Sequence, residues 1–261
     1  MYSLRIEMDE DIQIIEYKDV DLTDAMLIEA FPTVGLVGSI AGHFIIDALH
    51  LEEIGAITSR YFVPAAVIHN GYPSPPVRIY AGKKTCGPDN SCSQLVVIIS
   101  EFMPPVDVVK PLADTILAWA KKKKCSMILS LEGTHAVNVK KLKTYGVAST
   151  QKMKEALKAH DIEETKEGMI TGVTGVLLWE GAQLKRDVLC LLAEAHSSFP
   201  DSRAAGMLVE TLDKILPGIK LDPGPLYKEA DDIEQKIKAF IKQAQPTAPG
   251  AHQPLPTQMY G

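Results

Sequence analysis

The chain has 261 residues, 46% of them apolar, with 27 Lys and Arg against 33 Asp and Glu and a formal charge of −6. That is enough to bury the core of one large domain, or of one domain with an appendage. The acidic balance argues against a nucleic-acid partner, which needs a basic face. The charged start Met1-Tyr2-Ser3-Leu4-Arg5-Ile6-Glu7 and the lack of a bilayer-length apolar run argue against a leader and a membrane span, so a soluble, cytoplasmic protein is expected.

Strands and helices alternate along the chain. The apolar stretch from Asp24 to Phe31 reads as a buried strand, and a glycine turn follows at Gly35. Helical spacing from Gly38 to Leu49 comes next, with strands expected over Glu53–Tyr61 and Val77–Ala81. Cys86–Ser93 reads as a loop, and Gln94–Ser100 as a strand covered on both faces. Val108, Val109, Leu112, Ile116 and Trp119 mark a helix in which Pro111 is tolerable only in the first turn. Its end carries Lys121-Lys122-Lys123-Lys124, which read as solvated lysines complementing the helix dipole. Ser126–Leu131 reads as a strand and Glu132-Gly133-Thr134-His135 as the loop after it. Helices are expected over Gln151–His160, Lys185–Ala195 and Ser202–Leu216, while Gly168–Leu178 mixes glycine with aliphatic residues and is left unassigned. The alternation predicts an α/β sheet with helices on both faces. A last helix, from about Tyr227 to Gln243, carries a heptad-like seam of Leu226, Ala230, Ile233, Ile237 and Phe240, suited either to its own domain or to an oligomer contact.

Few residues advertise chemistry. Gly35, Gly38 and Gly42 lie in a strand–turn–helix that could cradle a phosphate, but the spacing is neither a dinucleotide fingerprint nor a P-loop. The competing reading is a positive φ at Gly35 and close helix packing at Gly38 and Gly42. His135 follows a buried strand, where α/β sheets place ligands, yet no nucleophile is paired with it in sequence. No histidine sits in a metal-binding pattern, and Cys86 and Cys92, with five residues between them, lack the knuckle spacing of a zinc site. A Cys86–Cys92 disulfide stays open, and Cys125 and Cys190 read as reduced thiols. No cofactor or metal is expected.

The end of the chain is more specific. After Gln245 the composition collapses to Pro, Ala, Thr, Gly and Gln, which predicts a flexible tail over 246–261 beyond a domain of residues 1–245. Extended, it would reach on the order of 50 Å. It ends in Met259, Tyr260 and Gly261. A terminal carboxylate can pair with a receptor lysine, Tyr260 offers a ring and a hydroxyl, and Met259 fills an adaptable hollow.

Several blocks in order resemble the proteasome assembly chaperone 2 family: Phe31-Pro32-Thr33-Val34-Gly35-Leu36-Val37-Gly38, Pro75-Pro76-Val77-Arg78-Ile79-Tyr80, Gly172-Val173-Thr174-Gly175 with Glu180-Gly181, Phe199-Pro200-Asp201 with Ala204-Ala205, and Asp222-Pro223-Gly224-Pro225-Leu226. The resemblance covers roughly Asp24 to Ile241. It implies a three-layer α/β/α sandwich similar to purine nucleoside phosphorylases, and an archaeal-type, non-enzymatic chaperone. It also implies a homo-oligomer, such as a tetramer, that binds α subunits of the proteasome core particle. The end motif shared by proteasome activators and assembly chaperones, hydrophobic–Tyr–any residue, falls on Met259, Tyr260 and Gly261. The rival reading is a phosphorylase-like or hydrolase-like enzyme using the Gly35 loop and His135.

Overall fold

The computed structural model describes residues 5–8, 11–69, 71–86, 92–136, 142–196, 199–216 and 219–244, and the statements below refer to these. In chain order they form β1 (Arg5–Met8), β2 (Gln13–Glu16), β3 (Met26–Ala30), a single 3-10 turn (Val34–Leu36), α1 (Val37–Ala48) and β4 (Glu52–Thr58). A small hairpin of β5 (Val67–His69) and β6 (Tyr72–Ser74) precedes β7 (Val77–Cys86), β8 (Cys92–Ser100) and α2 (Val106–Lys122). Then come β9 (Met127–His135), β10 (Thr144–Ala148), α3 (Gln151–Ala159), β11 (Glu163–Glu164), α4 (Gly172–Leu184), β12 (Val188–Ala195), α5 (Ser202–Ile215) and α6 (Gly224–Ala244).

Ten strands make one mixed sheet in the order β1-β2-β4-β7-β8-β3-β9-β12-β10-β11. Its centre, β8-β3-β9-β12, is parallel, and antiparallel pairs flank it on either side. The carboxyl ends of these four strands therefore share one edge. Side chains alternate between faces with period two. Met26, Ile28 and Ala30 of β3 pack with Leu95, Val97 and Ile99 of β8 under α1, α3, α5 and α6. Leu27, Val96, Ile98, Ile128 and Cys190 face the opposite way, under α2 and α4. Two separate apolar cores on the two faces of one sheet are what a three-layer α/β/α sandwich requires, so the layered expectation holds.

Several local expectations change. Lys185–Ala195 is not a helix: Val188–Ala195 is a strand buried at every position, inserted between β9 and β10. An uninterrupted apolar run has no helical period, and burial on both faces favours the strand. Glu132–His135 is not a loop but the last part of β9, held in register with Leu192–Ala195 of β12. Cys86 and Cys92 close a strand pair as cross-strand partners, rather than belonging to a loop; their side chains lie outside the described residues. Pro111 lies in the second turn of α2, and the donor it lacks would have served the carbonyl of exposed Asp107. Of the lysine run, Lys123 is largely covered and pairs with Glu16 at 2.8 Å, where Trp119 Nε1 also donates at 2.9 Å. Gly172–Leu184, over which the sequence signalled no helix, is helical.

Candidate functional site

The Gly35 turn is a packing device. Gly35 has φ of 64°, a conformation favouring glycine, and a Cβ there would lie 2.9 Å from the His196 carbonyl oxygen. One step on, a Cβ at Gly38 would come within 2.3 Å of the Leu131 carbonyl oxygen, so only glycine lets α1 lie this close to β9. The turn also consumes its own donors: Leu36 N–H donates to the Thr33 carbonyl and Val37 N–H to the Val34 carbonyl. Those groups are not open to a phosphate.

The chemistry gathers on the other face. Glu29 of β3, Ser130 and Glu132 of β9 and Cys190 of β12 share the parity that points toward α2 and α4, and all four are buried. Thr174, in the first turn of α4, covers the two carboxyls. Its Oγ1 lies 2.9 Å from Glu29 Oε2 and also contacts Glu132 Oε1. A threonine hydroxyl has one proton to give. Satisfying both contacts therefore needs a proton on one carboxyl, donated back to the hydroxyl oxygen. Burial pushes the Glu29 carboxyl up, with the neighbouring Ser130 and Thr174 hydroxyls opposing it. Burial and then the charge of Glu29 push Glu132 up, against Thr174 and Thr33. Burial raises the Cys190 thiol too, with Glu132 and Glu29 adding to it. Among the described residues, nothing meets hydrogen-bond geometry with Glu29 Oε1 or Ser130 Oγ.

These carboxyls form part of the wall of a cavity of about 730 Å³ at the carboxyl edge of β3 and β9. Phe31, Pro104, Val109, Ile170 and Val176 make its apolar lining, and Thr134 and His135 stand at its polar side. His135 itself is exposed and forms no hydrogen bond to a Ser, Thr or Cys side chain among the described residues. Nor, among them, are three or more His, Cys, Asp or Glu grouped to hold a metal ion. The Gly35 loop and His135 thus supply no nucleophile–base pair. Glu29, Glu132 and Thr174 escaped the sequence reading, although a signal existed. A carboxylate within Met26-Leu27-Ile28-Glu29-Ala30, or after Leu129-Ser130-Leu131, is costly unless partnered or neutral.

Compared with known proteins, the model of the PAC2 family matches residues 27–241. The chain belongs to the PAC2 family. An uncharacterized protein of Methanocaldococcus jannaschii, MJ0106, is 31% identical over 236 residues, covering 90% of this chain and 93% of its own. A crystal structure of Pyrococcus furiosus PbaA, an archaeal homolog of proteasome-assembly chaperone, is 30% identical with a TM-score of 0.79, covering 90% and 93% of the two chains. P. furiosus PbaB, an archaeal proteasome activator, has a TM-score of 0.77 over 89% of this chain and all of that one; at 21% identity it shows the shared fold.

The blocks that carry the PAC2 likeness have structural work in common. Asp201, after Phe199-Pro200, caps α5 by accepting from Ala204 N–H at 3.0 Å and also accepts from His196 N–H at 2.9 Å. Its own N–H donates to the Gly35 carbonyl at 2.8 Å, so the first and fourth blocks interlock at the sheet edge. Asp222 accepts from Gly224 N–H at 2.9 Å and starts α6. Leu226 of the α6 seam packs into its own domain's core, and Ala230 is buried. The expected site residues Met259, Tyr260 and Gly261 lie outside the described residues, as does the tail from 246.

Proposed function

We propose that this chain is a proteasome assembly chaperone or activator that docks on the α subunits of the core particle through Met259, Tyr260 and Gly261. The observation that carries this reading is the hydrophobic–Tyr–any terminus on a chain of the PAC2 family, among whose structural neighbours are PbaA and the proteasome activator PbaB. Residues 1–245 are the body and 246–261 the tether. The body acts without catalysis and as a homo-oligomer, presenting several tails whose weak contacts add through effective concentration. Support for a mechanically sound root comes from α6. Arg203 pairs with Asp231 at 2.6 Å, Ser202 donates to Glu229 at 3.0 Å, and the Tyr227 ring lies where a Cβ on Gly206 would clash at 2.7 Å. The helix leading to the tail is thereby bolted to α5. No helix among the described residues is long and apolar enough to cross a membrane.

The test is co-migration of the purified chain with purified core particle on a native gel, beside a version lacking the last three residues. Loss of the shifted band on truncation supports tail docking. Equal binding by both proteins would move the docking surface to the body, and binding by neither would remove the proteasome reading.

A further inference from the structure

The Glu29–Glu132 pair is an unbalanced charge site inside a cavity. Among the residues lining the cavity, the one lysine or arginine is Lys110 of α2. That ammonium is already engaged with Asp114 at 2.8 Å and Glu180 at 2.6 Å, and it lies over the Trp179 ring. The other titratable groups around the pair are Cys190 of β12, whose thiol is held neutral by burial, exposed His135 at the end of β9, and Glu194 of β12, which accepts from Lys143 N–H at 3.0 Å. None of these delivers a fixed positive charge. Meanwhile Glu29, 1% exposed, keeps one oxygen with no partner among the described residues. A hard divalent ion would want about six oxygen ligands in place of two carboxyls and a hydroxyl. The apolar lining instead fits a carbon skeleton, and about 730 Å³ is ample for a small molecule.

We propose that this cavity binds a small organic cation, an ammonium or amidinium on an apolar body, with its N–H groups on Glu29 Oε1 and the Glu132 carboxylate. Its body rests on Phe31, Val109 and Val176. The cation takes the place of the proton that the pair shares through Thr174, and that proton leaves to solvent. Affinity therefore rises with pH through the raised range in which the pair loses its proton.

The probe is benzamidine, cationic throughout that range, against neutral benzamide of nearly the same shape. Both are titrated calorimetrically into the full chain at about pH 6 and about pH 8.5, on either side of the raised carboxyl range. Buffers of different ionisation heat report the released proton. Benzamidine is expected to saturate one site, to bind more tightly at the higher pH with proton release, and to exceed benzamide by at least about tenfold, as an ionic contact in a dry site should. Glu29→Gln should lose that preference. Val176→Phe, which fills the cavity and leaves both carboxyls in place, should weaken both probes and provides the reading if Glu29→Gln does not fold. Equal affinity for the two probes overturns the proposal. So does absence of benzamidine binding to the folded protein, or benzamidine binding that Val176→Phe leaves unchanged.

Discussion

Two carboxylate clusters sit near the same edge of the sheet, on opposite faces, and accommodate burial in opposite ways. On the α1 face, Glu101 follows β8 and contacts both Arg78, which is 3% exposed, and His43 at 3.0 Å. The hydrogen bond from His43 and the charges of His43 and Arg78 hold its carboxyl below the ordinary range against the cost of burial. On the α2–α4 face, Glu29 and Glu132 pair with no cation among the described residues and are held above the ordinary range instead. The first cluster balances its charge internally, although Arg78 Nε is left without a hydrogen-bond partner among the described residues. The second keeps a proton and an unpartnered oxygen, which is why it, and not the ion pair, reads as a place for a ligand.

Breaking the ion pair should cost most. Glu101→Ala leaves the Arg78 guanidinium buried without its counter-ion, and a loss of about 3 kcal/mol is expected in urea unfolding. Thr174→Val removes the one hydroxyl between Glu29 and Glu132, and about 2 kcal/mol should be lost. The pH dependence then separates the clusters by sign. Glu29 and Glu132 have raised native pKa values, so the stability they contribute is fully present below the unfolded carboxyl range and is lost as pH rises through the native range. Glu132→Gln should flatten that alkaline decline and gain on the order of 1 kcal/mol near pH 9. Glu101 has a lowered native pKa, so its contribution is present above about 4.5, the ordinary glutamate value, and is lost as pH falls through the native one. His43→Ala should shrink that acid-side loss by less than about 1 kcal/mol, because the His43 side chain is 45% exposed and its pairing is screened. Chemical denaturation across pH checks all of these in one series.

How much of this could be read in the sequence depends on the residue. The Gly35–Gly42 block was legible because glycine spacing beside an apolar strand has few structural meanings, and its packing role is seen directly at Gly38. Leu95–Ile99 was legible as a strand covered on both faces, since a pure apolar run bounded by polar residues suits one. The apolar run Val188–Ala193 reads as a helix instead, because periodicity vanishes when every side is buried. The sequence places Gly133 in a loop; in the fold it is a strand residue whose missing side chain makes room for the Val34 carbonyl, 1.9 Å from where a Cβ would stand. That mistake ended β9 too early and hid Glu132. The acid pair joins residues 29, 132 and 174, so it exists only through the parallel register of β3 with β9 and the placement of α4 over both. The proposed terminal motif is the reverse case: Met259, Tyr260 and Gly261 lie outside the described residues, and their reading rests on residue chemistry and the family resemblance.

The docking claim is tested most directly by the affinity of the immobilised core particle for three forms of the full chain: wild type, Tyr260→Ala and, as a tail control, Thr257→Ala. Tyr260→Ala is expected to weaken binding by at least about tenfold, the loss of ~1.4 kcal/mol expected for a buried aromatic anchor, while Thr257→Ala binds as wild type does. Wild-type affinity in the Tyr260→Ala protein would contradict the account.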